Sequence, residues 1–240
     1  MLKQRRDSII EYQLERSSKR RRTIAIHIKH GCVVVRAPQR AARARIDEIV
    51  AAKAGWIAKQ LLENQAREIL AAREYVDGEL FKFLGRDYPL TVNETTAKRI
   101  KPATFAGGCI AVGVPAGQSG EERSEWVRKS LTRWYRPRAK SHITKQVSRS
   151  TATTGLVPKL VRVKDLKRSW GVCTRENISL SWRLIMAPAP LIEYVVVHEL
   201  CHLTHKNHSA AYYATLASFL PDYKARRKAL RELAPLLDIG

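Results

Sequence analysis

The chain has 240 residues and a formal net charge of +22, from 44 Lys and Arg against 22 Asp and Glu. Its length and its 45% apolar share allow a substantial core without disulfides and exclude a low-complexity chain. The charge says nothing of fold, but it predicts attraction to polyanions, nucleic acid ahead of anionic membrane.

Met1 to Asp7 is charged and no apolar stretch follows it, so no signal peptide is expected. No run approaches the ~18 apolar residues that span a bilayer, which argues against membrane insertion. Cys32, Cys109, Cys173 and Cys201 are far apart, with no C-x-x-C spacing. Four reduced thiols in a cytoplasmic protein are expected.

Along the chain, Ile9 to Leu14 reads as a strand. Thr23 to Ile28 alternates with period two, turns at His30-Gly31 and returns through Cys32 to Val35, a hairpin that Pro38 closes. From Arg43 to about Arg73 the apolar spacing becomes helical, through Ile46, Ile49, Val50, Trp56, Ile57, Leu61 and Leu62. Leu80 to Leu84 and Tyr88 to Val92 flank Gly85-Arg86-Asp87, and Phe105 and Cys109 to Val114 flank Gly107-Gly108. Both are hairpin signatures.

Pro115 to Gly120 reads as a linker, and a long helix is expected from about Glu121 to Ser148. Strands are expected at Lys159 to Val163 and Ile178 to Trp182. Helices follow at Ser209 to Phe219 and beyond Pro221. This divides the chain into a β-rich region with one long helix, residues 1–115, and a catalytic region, residues 121–240.

The most informative segment is His198-Glu199-Leu200-Cys201-His202, an H-E-x-x-H pattern preceded by Pro188, Pro190 and Val195-Val196-Val197. The valines favour strand. The pattern makes chemical sense only on a helix, where His198 and His202 lie one turn apart on one face. Glu199, rotated by about 100°, lies beside a metal rather than on it and can take a proton from water.

His208 supplies a third imidazole once the chain turns at Lys206-Asn207, with His205 as the alternative. Three protein ligands and one open position make a catalytic rather than a structural zinc site. The longer zincin motif has Gly where His205 stands, and no methionine turn is present, since the only methionines are Met1 and Met186. Cys201 is expected to pack rather than ligate.

At this point the chain resembles the YgjP-like family of metal-dependent hydrolases, relatives of the SprT and WLM zincins. The resemblance rests on Arg168-Ser169-Trp170-Gly171-Val172-Cys173, Asn177 to Ile185, Ala187-Pro188, Tyr194 to His202, Asn207-His208-Ser209 and Pro221-Asp222-Tyr223-Lys224. Weaker echoes are Ala37-Pro38, Trp56-Ile57, Asp77-Gly78-Glu79 and Leu84 to Tyr88. It implies His198, His202 and His208 as ligands of one Zn2+ and Glu199 as the catalytic residue. It also implies an α+β fold, with a zincin-like core behind an N-terminal antiparallel β-rich region.

The chain departs from the family at Ser169, where Arg is usual, at Val172, where Ser is usual, and at Ser181, where Asn is usual. These positions are expected to shape the cleft. Trp170 and Gly171 either line that cleft or simply pack and bend. By analogy with zincins, Ile178 to Trp182 is the expected edge strand above the metal.

The expected function is zinc metallopeptidase action on protein or peptide, with Glu199 as general base, near nucleic acid in the manner of SprT-like relatives. The alternatives are a nucleic-acid-binding protein with a structural or vestigial zinc site, and a zinc hydrolase of non-peptide bonds. Basic residues cluster at Lys19 to Arg22, at Arg128, Lys129, Arg133, Arg136, Arg138 and Lys140, and at Lys224, Arg226, Arg227, Lys228 and Arg231. Arg128, Lys129, Arg133 and Arg136 are the expected contacts to non-specific nucleic acid. Trp134 and Tyr135 either stack on bases or face the core.

Overall fold

The structure is a computed structural model that describes residues 10–18, 20–29, 31–71, 73–97, 99–101, 103–166, 169–237 and 239. Ile9, Lys19, His30 and Arg168, each part of an expected element or motif, lie outside the described residues. The chain forms two compact units, Met1–Leu70 and Ala71–Gly240.

In the first unit, β1 (Gln13–Ser17), β2 (Ala25–Lys29) and β3 (Cys32–Pro38) form a sheet of order β1-β3-β2. The expected hairpin is β2–β3, with Ile26 opposite Val35 and Pro38 as the last residue of β3. The first strand starts later than expected. It runs parallel to β3, so the region is mixed rather than antiparallel. Period-two spacing marks a strand but does not name its partner.

The single long helix expected next is two, α1 (Arg43–Ala52) and α2 (Ala54–Ala71), which break at Lys53. Val33, Val35 and Ala37 of the sheet bury against Ile46, Val50 and Ile57.

The second unit starts with β4 (Leu80–Phe83), β5 (Arg86–Thr95), β6 (Thr104–Ala106) and β7 (Cys109–Pro115), in the order β4-β5-β7-β6. Both expected hairpins form, β4–β5 and β6–β7. β5 and β7 are parallel, which the hairpin signatures could not indicate. β7 alternates cleanly, burying Ile110, Val112 and Val114.

That face shares one core with α3 (Gly120–Thr154), whose buried stripe is Val127, Leu131, Trp134, Tyr135, Ala139, Ile143 and Val147. Residues 116–119 therefore connect elements inside this unit. The compact units part at 70 and 71, whereas the expected boundary lay between 115 and 121. Pro137 sits inside α3 without ending it. An interior proline costs a helix about 3 kcal/mol, and the long buried stripe offsets it.

β8 (Leu160–Lys164), β9 (Gly171–Thr174) and β10 (Asn177–Ser181) make a second sheet, ordered β8-β10-β9. A 3₁₀ turn at Trp182–Met186 leads into α4 (Ala189–Cys201), with α5 (Ala210–Phe219) and α6 (Tyr223–Leu233) after it. The valine run is helical because α4 is buried on nearly every side, from Leu191 to Cys201, and burial outweighs β-propensity.

The start of α4 is pinned. Leu84 and Gly85 donate their N–H groups to the Ile185 and Met186 carbonyls at 2.8 and 3.1 Å. A β-carbon at Gly85 would lie 2.6 Å from Pro188 Cγ. Only glycine permits this approach, which also uses a φ of 81°. Ser181, buried at the end of β10, donates its N–H to the Trp170 carbonyl at 2.8 Å and its hydroxyl to the Leu166 carbonyl at 3.4 Å.

Candidate metal centre

His198 lies in the last turn of α4, and His202 is its C-cap. The helix then tightens: the N–H groups of His202, Leu203 and Thr204 bond three residues back, to Glu199, Leu200 and Cys201. Such bonds satisfy the last carbonyls and turn the chain. His205 is not among the non-glycine residues with positive φ, so no left-handed residue is needed there. The chain then reaches Ser209, whose hydroxyl accepts the Tyr212 N–H and caps α5, and this brings His208 back over α4.

The three rings converge. His198, His202 and His208 each offer one ring nitrogen within 4.8 Å of the others. The Nε2 atoms of His198 and His208 are 3.2 Å apart. Two nitrogens bound to one tetrahedral zinc at about 2.0–2.1 Å stand about 3.3–3.4 Å apart.

His202 Nδ1 lies 2.9 Å from the His205 carbonyl oxygen. A carbonyl only accepts, so Nδ1 carries the proton and Nε2 presents its lone pair. His205 thus contributes its backbone, while its own Nε2 pairs with Thr215 Oγ1 at 3.0 Å. His198 Nδ1 is buried with no hydrogen-bond partner among the described residues. Burial, and then the neighbouring His202, His208 and Arg227, push the His198 pKa down to about 3. His208 is lowered by the same kinds of cause, burial first. Three imidazole nitrogens gathered this closely are what a divalent metal requires.

Tyr212 is the floor of the site, and the sequence offered no periodicity that would reveal it. The residue is fully buried. Its ring stacks on His202 at 4.7 Å and meets His208 and His198 edge-on at 4.8 and 5.4 Å. Its hydroxyl donates to the His198 carbonyl at 3.2 Å. Tyr213 stacks on His208 at 6.0 Å, and the exposed Arg227 guanidinium lies 6.0 Å from the Tyr213 ring centroid.

Glu199 is 5% exposed. Burial raises its pKa to about 7, opposed by the Cys173 N–H, which donates to it. Gly171 abuts it: a β-carbon there would lie 2.6 Å from Glu199 Oε1. The W-G motif therefore serves the carboxylate. Gly171 makes room for Glu199, and half-buried Trp170 packs against the core.

One expectation is corrected. Ile178 to Trp182 is not an edge strand, because β10 is paired on both sides, parallel to β8 and antiparallel to β9, and Trp182 lies beyond it in the 3₁₀ turn. The edge beside Glu199 is β9, too short to stand out in the sequence. Trp134 and Tyr135 face the core, 1% and 0% exposed, so neither is a surface for stacking bases. Cys201 is fully buried and burial lifts its thiol pKa to about 11. Arg128, Lys129, Arg133 and Arg136 line one cavity along α3, and none of the three histidines is among its lining residues.

A family model described as YgjP-like, metallopeptidase domain, matches residues 22–233. The chain belongs to the YgjP-like metallopeptidase family. Membership makes this YgjP-like chain a metal-dependent hydrolase of the peptidase class, whose substrates are proteins or peptides. Among solved structures it is similar to the metallopeptidase zymogen of Pyrococcus abyssi abylysin, at 19% identity and a TM-score of 0.35. That likeness covers 38% of this chain and 95% of the other. No curated protein matches the YgjP-like chain. Among its described residues, no helix is long and apolar enough to cross a membrane.

Proposed function

We propose that the protein is a zinc-dependent peptidase with a zincin-like core, in which His198, His202 and His208 hold one ion and Glu199 is the general base. The observation that carries this reading is a buried carboxylate one residue along from a histidine that converges with two others. A purely structural site has no use for it, because burying a carboxylate is costly. A zinc ion held there supplies Lewis acidity to a carbonyl and lowers the pKa of water. The chemistry falls within residues 121–240, and the four free thiols suit a cytoplasmic setting.

Glu199 performs the proton transfers. The Cys173 N–H and the Gly171 backbone fix its carboxylate, so one oxygen can accept a proton from water and return it to the leaving amine. His202 is held in the ligating tautomer by the His205 carbonyl, and Tyr212 fixes the tilt of all three rings. The outer edge of β9 suits an extended peptide, with Val172, 43% exposed, beside it.

Hydrolysis of an unfolded protein substrate tests the reading. It should cease with chelator and return with zinc; activity indifferent to chelator would exclude it. We further propose salt-sensitive association with nucleic acid, supported by the net charge of +22.

A further inference from the structure

The cations of α3 sit beside a groove. One cavity of about 530 Å3 is lined by Arg128, Lys129, Thr132, Arg133 and Arg136, with Asp165 and Trp182 opposite. A second, of about 290 Å3, shares Arg136, Asp165 and Trp182 and adds Lys140 and Lys164. From residue 128 to residue 140 the helix rises about 18 Å, room for several consecutive phosphates.

Six cations line the groove against one lining carboxylate, Asp165. The charge of Asp165 is already engaged, by the buried Arg183 and by Arg136 at 2.9 Å. Glu125 serves Arg128 and Lys129 at 2.6 and 3.3 Å. Arg133 is exposed and has no ion pair among the described residues.

The surface also says what it does not suit. Trp134, Tyr135 and Trp182 are all buried, so there is no platform for stacked bases. None of the exposed large apolar side chains lines the groove, so it has nothing to insert into a lipid surface.

We propose that this groove binds the phosphodiester backbone of nucleic acid, without regard to sequence, through Lys129, Arg133 and their neighbours. The proposal rests on the nucleic-acid association given above and locates it on α3. Contacts of this kind position a strand and carry no base information.

The test is fluorescence anisotropy of a labelled oligothymidylate with the full chain, from 50 to 200 mM salt. The double variant Lys129→Glu/Arg133→Glu should bind at least about tenfold more weakly at low salt, with a shallower slope of log affinity against log salt. The milder Lys129→Ala/Arg133→Ala should reduce that slope by about 1 to 2, which keeps the test open should the reversal unfold the protein. A control reversing as many charges on α6, Lys224→Glu/Arg231→Glu, should weaken binding by less than about threefold.

Equal weakening by groove and control variants would overturn the groove while leaving the association intact. Wild-type protein that ignores the oligonucleotide, or that binds phosphatidylserine vesicles instead, would overturn both.

Discussion

Gly171 lies so close to Glu199 that a β-carbon on residue 171 would stand 2.5 Å from Glu199 Cγ. No positive φ demands glycine at this position, so the constraint is space alone. The Gly171→Ala variant must displace the carboxylate. Displacement of a catalytic group by about 1 Å can cost about a hundredfold. Gly171→Ala should therefore lose about that much in kcat/KM toward an unfolded protein while retaining its metal, as read by a hydrolysis assay beside elemental analysis.

The two histidines that competed for the third ligand position separate by substitution. His208→Ala removes a ring that points at its neighbours and should weaken metal binding by more than about a hundredfold. His205→Ala keeps the backbone carbonyl that holds His202 and should cost no more than about tenfold. Competition titration with a metal-sensitive dye reads both. Equal losses would contradict the ligand set.

Protonation competes with metal for the imidazoles. Burial holds His198 at about 3, and His208 is lowered as well, from an ordinary value of 6.5. A depressed basic group takes protons less readily, so it keeps its lone pair as pH falls. The pH of half-release should lie below 6.5; release centred above it would contradict the burial argument.

In metal-free protein the stability contributions oppose one another. His198, with its folded pKa below the unfolded value, contributes stability that is present above 6.5 and is lost as pH falls toward 3. Glu199, raised to about 7, contributes stability at low pH that is lost as pH rises from 4.5 to 7. Metal release reads the imidazoles more cleanly than a melting curve.

Trp134 anchors the core between Phe83 and Tyr135, at 5.1 and 4.9 Å. Trp134→Ala should destabilise the chain by about 3–5 kcal/mol, measured by urea denaturation. A change below about 1 kcal/mol would place the ring outside the core.

How much of this was legible in the sequence depends on the range over which each contact acts. The β2–β3 and β6–β7 hairpins follow from alternation around a glycine turn, which is local information. That His198, His202 and His208 can meet follows from one helical turn plus a short loop. The parallel pairing of β5 with β7, and of β1 with β3, needs long-range choice of partner, and alternation is silent on it. β9 spans Gly171–Thr174 only, and its meaning lies in a carboxylate 28 positions later in the chain. Tyr212 reaches the site through the fold-back of α5 onto α4, which no spacing encodes.

The most direct measurement is the rate of peptide-bond hydrolysis by Glu199→Gln protein at the same zinc content as wild type. The amide keeps the shape but takes up no proton. Hydrolysis should fall by at least about a hundredfold with metal occupancy unchanged; a wild-type rate from fully loaded Glu199→Gln protein would contradict the assignment of the base.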